Sequence, residues 1–136
     1  LNEWHKRKKR SEYEFKLEKQ KAKLVPSLFS ENANAVLKYL RLENHTGETL
    51  YKLYELMEGH PNQRKAFQLK FNISRDEFKR FGDAVHNPII SGELARHAYK
   101  DKTKSRNPMS FAEAQYFIEG LAKKWLKFQQ NEYESK

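Results

Sequence analysis

The sequence predicts an all-α fold, a compact bundle of about five to six helices preceded by a basic N-terminal helix. Apolar residues recur at intervals of three and four in successive segments, most clearly at Phe111, Ala114, Phe117, Ile118, Leu121, Trp125 and Phe128. Ser or Thr precedes several of these segments, where a hydroxyl accepts from the free N–H groups of a first helical turn. No two alternating apolar runs are joined by a tight-turn dipeptide, so hairpins have no signal. The expected organisation is a projecting basic helix over 1–25 and a bundle domain over 26–136.

Residues 2–24 hold neither Gly nor Pro and are rich in Lys, Glu and Gln, all good helix formers. Their apolar stripe is thin: Trp4 and Phe15 fall on one side, Tyr13 and Leu17 elsewhere. A Glu12–Lys16 pair supports the helix. It is marginal in isolation, so it should project from the body or lean on a partner. Pro26 ends it.

Ser30 suits the cap of the next helix, with Ala33, Val36, Leu37 and Leu40 as its buried face. Asn44-His45-Thr46-Gly47 breaks it. A helix from about Thr46 to Glu58 turns Leu50, Leu53, Tyr54 and Met57 inward, and Gly59 stops it. Pro61 fits the first position of another. Over 66–73, Phe67, Leu69, Phe71 and Ile73 alternate like a strand, while Phe67 and Phe71 also match helical spacing. A lone strand cannot satisfy its backbone groups, so helix is expected there. Ser74 and Glu77 have capping-box spacing, followed by Phe78, Phe81 and Val85 as an inward face. His86-Asn87-Pro88 closes that helix, and Ser91 is expected to open a short one carrying Leu94, Ala95 and Ala98. A basic loop spans 100–109. Ser110 and Glu113 form a second capping box before the most strongly patterned helix. Gly120 lies inside that helix, where Gly costs about 1 kcal/mol relative to Ala. Close approach of a neighbour is the expected reason.

The 136 residues are 38% apolar and 13% aromatic, enough for one modest core. The net charge is +9, and it is placed unevenly. Residues 1–23 hold nine Lys/Arg against four Glu, and residues 96–106 hold five against one Asp. These two segments carry the whole excess, and the remainder of the chain is neutral. Two local positive potentials attract polyanions over roughly one Debye length.

Cysteine is absent, which removes disulfides, thiolate nucleophiles and cysteine-bound zinc. No apolar run reaches membrane-spanning length, and no secretory segment is evident, so an intracellular, cytoplasmic protein without a membrane partner is expected. The first residue is Leu rather than Met, which fits a trimmed chain. His5, His45, His60, His86 and His97 are scattered singly and match no metal-binding spacing, so no metal is expected. Ser91 lacks the glycine-flanked turn of a hydrolase nucleophile. The five glycines are too dispersed for a phosphate loop or dinucleotide fingerprint, and no cofactor is expected. Asn44 and Asn72 match the glycosylation acceptor pattern, which is read as coincidence in an intracellular chain.

Two segments remain as candidate contact surfaces. The hexamer His5-Lys6-Arg7-Lys8-Lys9-Arg10 lies between Trp4 and Tyr13. Its cations can neutralise phosphates while an aromatic ring stacks on an unpaired base. Such hexamers also serve as nuclear import signals, so a nuclear location stays open. The second segment carries Arg96, His97, Lys100, Lys102, Lys104 and Arg106. On a regular helix Arg96 and His97 would point about 100° apart and could not face one pocket. Glu93, one turn earlier, would orient His97.

The segment Arg80-Phe81-Gly82-Asp83-Ala84-Val85-His86, within an all-helical chain of this size, resembles the motif of HEPN domains. These are helical bundles, often dimeric, and many are metal-independent ribonucleases of toxin, antiphage or RNA-processing systems. Their motif sets Arg four to six residues before His, usually with a polar residue after the Arg. Here five residues intervene, and Phe81 stands where the polar residue is usual. The resemblance implies that Arg80 would steady the scissile phosphate and His86 would move a proton at the 2′-hydroxyl.

The reading that follows is a non-catalytic basic helical module. It binds nucleic acid or an acidic protein, as a homodimer or as a subunit of a larger complex. A HEPN-like ribonuclease using Arg80 and His86 is the alternative.

Overall fold

A computed structural model describes Lys8 and residues 30–135. The expected N-terminal helix, with Lys6, Arg7, Lys9 and Arg10, lies outside the described residues; Lys8 is helical and exposed.

Six α-helices follow one another, and no strand occurs among the described residues. The fold is all-α, as expected. Helix α1, Glu31–Leu40, starts where the Ser30 side chain accepts from the Ala33 N–H at 3.1 Å. Helix α2, Gly47–Glu58, is opened by a reciprocal cap between Thr46 and Thr49. Pro61–Gln63 form one 3₁₀ turn that leads into helix α3, Arg64–Lys70. Helix α3 ends in a Schellman motif: Asn72 takes φ 56°, Ile73 N–H donates to Gln68 C=O at 2.8 Å, and Asn72 N–H to Leu69 C=O at 3.3 Å. The strand-like alternation over 67–73 is therefore incidental. Phe67 and Ile73 are buried, but Leu69 between them is 84% exposed.

Helix α4, Arg75–His86, is capped by the Ser74 side chain on the Glu77 N–H. Only this half of the expected capping box forms. Asn87 then ends α4 and caps helix α5, Pro88–Ser91. The expected helix opening at Ser91 is not formed. Asn87 before Pro88 caps the helix four residues earlier, and Gly92 at φ 55° breaks it. A 3₁₀ turn, Gly92–Leu94, follows, and residues 95–110 have no regular structure. Leu94 and Ala98, expected on a buried face, are exposed. Helix α6, Phe111–Glu134, carries the expected Ser110–Glu113 capping box.

Helices α2 and α6 share the centre: each packs against α1 and α4 as well as against the other. Tyr54 is fully buried, with the rings of Phe78, Phe67 and Phe81 around it at 4.9, 5.7 and 6.0 Å. Its hydroxyl accepts from the Gln68 amide at 2.9 Å, which satisfies the one polar atom of the ring. Burial raises its pKa well above the ordinary phenol range. The chain's close helix approach falls at Gly47, not at Gly120. A Cβ on Gly47 would lie 2.0 Å from the Val85 carbonyl oxygen, whereas one on Gly120 would meet no atom of the described residues within 4 Å. Gly47 thus lets α2 start against the end of α4. Among the described residues no helix is long and apolar enough to cross a membrane.

Candidate nucleic-acid interface

The last carbonyls of an α-helix lack partners within the helix. At the end of α4 they find them in the chain that follows. Ala84 C=O accepts from the Ser91 hydroxyl at 2.5 Å, Val85 C=O from Arg96 N–H at 2.8 Å, and His86 C=O from His97 N–H at 3.0 Å. Two polar side chains of the same turn reach further along. The buried Asp83 carboxylate accepts from Lys104 N–H and Ser105 N–H, both at 2.8 Å, and from the Ser105 hydroxyl at 2.6 Å. The Asn87 amide donates to Asp101 C=O at 2.6 Å and accepts from Asp101 N–H at 3.3 Å. One turn earlier, Arg80 donates to Asn107 C=O at 2.5 Å, and its own carbonyl accepts from Met109 N–H at 3.2 Å. A segment without regular structure is thereby held along one helix by backbone groups at Arg96, His97, Asp101, Lys104, Ser105, Asn107 and Met109.

Fastening this segment creates a cleft of about 990 Å³ between it, α3 and α4. Six cations line it, Arg64, Lys65, Arg75, Lys79, Lys102 and Lys104, against the carboxylates of Asp83 and Asp101. Arg64 is already engaged: the buried Glu58 carboxylate takes it in two bonds of 3.0 and 3.2 Å, which raises its pKa further. Arg75, Lys79, Lys102 and Lys104 are exposed and form no ion pair with a described carboxylate. Their charge is therefore not neutralised by a described carboxylate and gives the cleft a positive potential.

Aromatic rings interleave with these cations. Tyr51 meets His86 edge-on at 4.5 Å, His86 lies 5.0 Å from His97, and His97 stacks on Tyr99 at 5.4 Å. The four form one row from the core to the surface. Arg96 lies over the Tyr51 ring at 5.4 Å. Arg96 and His97 thus converge on a single aromatic cluster. The helical expectation that kept them apart fails because residues 95–99 are not helical. His97 is oriented by the His86 ring and carbonyl, and no bond or ion pair joins it to Glu93.

His86 is the most perturbed group in the cleft. Burial pushes its pKa down to about 4, and Arg96, His97 and Lys104 push in the same direction against a smaller opposing effect of Asp83. Its Nδ1 is buried without a hydrogen-bond partner. Protonation would leave an unsatisfied buried donor there. The imidazole is therefore neutral at neutral pH. Because the folded pKa lies below the ordinary 6.5, the folded state binds fewer protons than the unfolded one as pH falls. Stability that is complete above pH 6.5 is lost progressively toward pH 4. His86→Gln is expected to gain about 1–3 kcal/mol relative to wild type across that window, read by denaturant melts at stepped pH. A constant difference between the two proteins would contradict this assignment.

The structure brings His86, His97, Lys102 and Lys104 to the cleft. Lys100 and Arg106 are exposed on the same segment but do not line it. Arg80 does not line it either: its guanidinium is occupied by Asn107 and by Glu113 at 3.6 Å, while His86 packs on Tyr51 and His97. Sequence reasoning missed Arg75, Lys79, Tyr51 and Tyr99. The first two are spaced i, i+4 on α4, a signal hidden by the zero net charge of that region. Among the described residues no group of three or more His, Asp or Glu gathers that could hold a metal ion. Comparison with protein-family models, with curated proteins and with solved structures gives no match.

Proposed function

We propose that this chain is a nucleic-acid-binding helical module whose described contact surface is the cleft between α3, α4 and the 95–106 segment. The observation that carries it is the interleaving of Arg75, Lys79, Lys102 and Lys104 with the rings of His97 and Tyr99 in one cleft. Cations alone would suit an acidic protein equally. The adjoining row of rings favours a polyanion that also carries flat bases. The five cations Lys6–Arg10 of the basic hexamer are proposed to add a second, sequence-independent set of phosphate contacts.

Each phosphate contact adds about 0.7 to 0.9 to the magnitude of the log affinity against log salt slope. Changing Arg75, Lys79, Lys102 and Lys104 together to Gln is expected to lower that slope by roughly 3 if all four engage a single strand. The melting temperature should barely move, since exposed charges contribute little to stability. Changing Lys6, Arg7, Lys8, Lys9 and Arg10 to Gln should lower the slope separately, and the two losses should add if the surfaces act independently. The measurement is oligonucleotide binding titrated from low to physiological salt. Absence of binding at low salt would remove this reading. Equal binding of polyglutamate at matched charge would favour the acidic-protein partner.

The metal-independent ribonuclease is the second reading. It is favoured by the neutral His86 in the cleft, which can accept a proton. The engagement of Arg80 by Asn107 and Glu113 weighs against it. RNA recovered intact from the binding assay is the expected result. Cleavage that disappears in both Arg80→Ala and His86→Ala, with folding preserved, would reverse the order of the two readings.

A further inference from the structure

The row Tyr51–His86–His97–Tyr99 ends at a ring that the fold does not cover. Tyr99 is 65% exposed, and the one described ring it contacts is His97, at an interplanar angle of 24°. A single exposed Tyr is ordinary. This one is held from two directions. The backbone before it is fixed to Val85 and His86, and the backbone after it is fixed to Asn87 at Asp101. A ring set in place before the ligand arrives loses little freedom on binding. Lys102 and Lys104 follow it within five residues and line the same cleft.

We propose that the cleft takes single-stranded nucleic acid, with an unpaired base stacked on the outer face of Tyr99 and the adjoining phosphates on Lys102 and Lys104. This rests on the nucleic-acid reading of the cleft and narrows it. In a duplex both faces of every internal base are covered by its neighbours, so a ring at the protein surface has no face to meet. In a single strand each base has an available π-face, and stacking on it tolerates any sequence. The cations also argue for a strand over a mononucleotide. They are spread over α3, α4 and the 95–106 segment and do not converge on a glycine-rich loop. A triphosphate is usually cradled by such a loop through backbone N–H groups.

The test is binding of a fluorescently labelled mixed-sequence oligonucleotide, as single strand and as duplex, at one fixed moderate salt concentration. Wild type, Tyr99→Ala, Tyr99→Leu and Tyr99→Phe are compared, with ATP and polyglutamate as competitors. The single strand should bind more tightly than the duplex. Tyr99→Ala and Tyr99→Leu should weaken single-strand binding roughly 5- to 100-fold and leave duplex binding nearly unchanged. Tyr99→Phe should stay close to wild type, because it keeps the ring. In a second series titrated from low to physiological salt, the slope of Tyr99→Ala should equal that of wild type, since no phosphate contact is removed. Equal affinity for strand and duplex, with no effect of Tyr99→Ala, would overturn the single-strand inference and leave the broader polyanion reading standing. ATP competing as well as the oligonucleotide would overturn it in favour of a nucleotide site. Failure of both strand and duplex to bind would overturn the proposed function itself.

Discussion

Trp125→Ala is expected to destabilise the domain by about 3–5 kcal/mol, the cost of removing a large buried ring and leaving a cavity. Trp125 is 5% exposed and lies on the face of α6 that also buries Ala114, Ile118, Leu121, Ala122 and Leu126. Along its length α6 packs on α1, α2 and α4, and Trp125 belongs to the buried core they share. Native domains are stable by only about 5–15 kcal/mol, so this single truncation removes a large share of the total. Lys124→Ala, at the exposed neighbouring position, is the control and should stay within about 0.5 kcal/mol. Denaturant melts of the two variants decide the matter. A loss below about 1 kcal/mol for Trp125→Ala would mean that the ring packs against little within the domain.

The helices were readable where local chemistry decides them. Ser30, Thr46, Ser74 and Ser110 each cap a helix with a side chain that reaches no further than three residues. Such a device is complete within its own stretch of sequence. The inward faces of α2 and α6 were legible for a related reason, since burial on one side of a helix imprints a period on the residues. The stretch after His86 was misread because two local devices compete there. Ser91 has the composition of a cap, but Asn87 before Pro88 claims the helix first, and the Ser91 hydroxyl bonds back to Ala84. Gly120 and Gly47 were likewise indistinguishable in one dimension. Only the crossing of α2 over the end of α4 reveals which of them has a neighbour too close for a Cβ.

The cleft depends on partners far apart in the chain. Asp83 meets residues 21 and 22 positions away, and His86 meets His97 through a turn whose course no local rule dictates. Summed along the sequence, positive charge concentrates at 96–106 and cancels over α4. On the folded helix Arg75 and Lys79 line the cleft, while Asp76 and Glu77 do not. Charge sorted by face is a property of the structure, and a sum over residues cannot carry it. Half of the proposed contact surface is therefore visible in the sequence as a basic segment, and the other half requires the helix against which that segment is held.

Asp83→Ala is expected to release that segment and to destabilise the domain by about 2–4 kcal/mol. The carboxylate is 5% exposed and accepts three hydrogen bonds, from Lys104 N–H, Ser105 N–H and the Ser105 hydroxyl. Bonds to a charged acceptor contribute about 1.5–3 kcal/mol each, and buried donors left without one cost a further 1–3. The net loss is smaller than the sum because the released backbone can turn to water. Asp83→Asn keeps the volume and one acceptor oxygen but directs an NH₂ at groups that are themselves donors, so about 1–2 kcal/mol is expected. Trypsin provides the local readout, since Lys102, Lys104 and Arg106 lie in or beside the fastened stretch. Cleavage after these three should be slow in wild type and fast in Asp83→Ala, under conditions where the helices stay protected. Binding separates two opposing effects of the same substitution. Removing a negative charge from the cleft strengthens long-range attraction to phosphates, whereas scattering Lys102 and Lys104 weakens contact. At physiological ionic strength screening confines the first effect to about 8 Å, so the second should prevail and oligonucleotide affinity should fall. An unchanged trypsin pattern together with an unchanged melt would show that Asp83 does not hold the segment. Faster cleavage with undiminished affinity would place the phosphate contacts on α4 and not on Lys102 and Lys104.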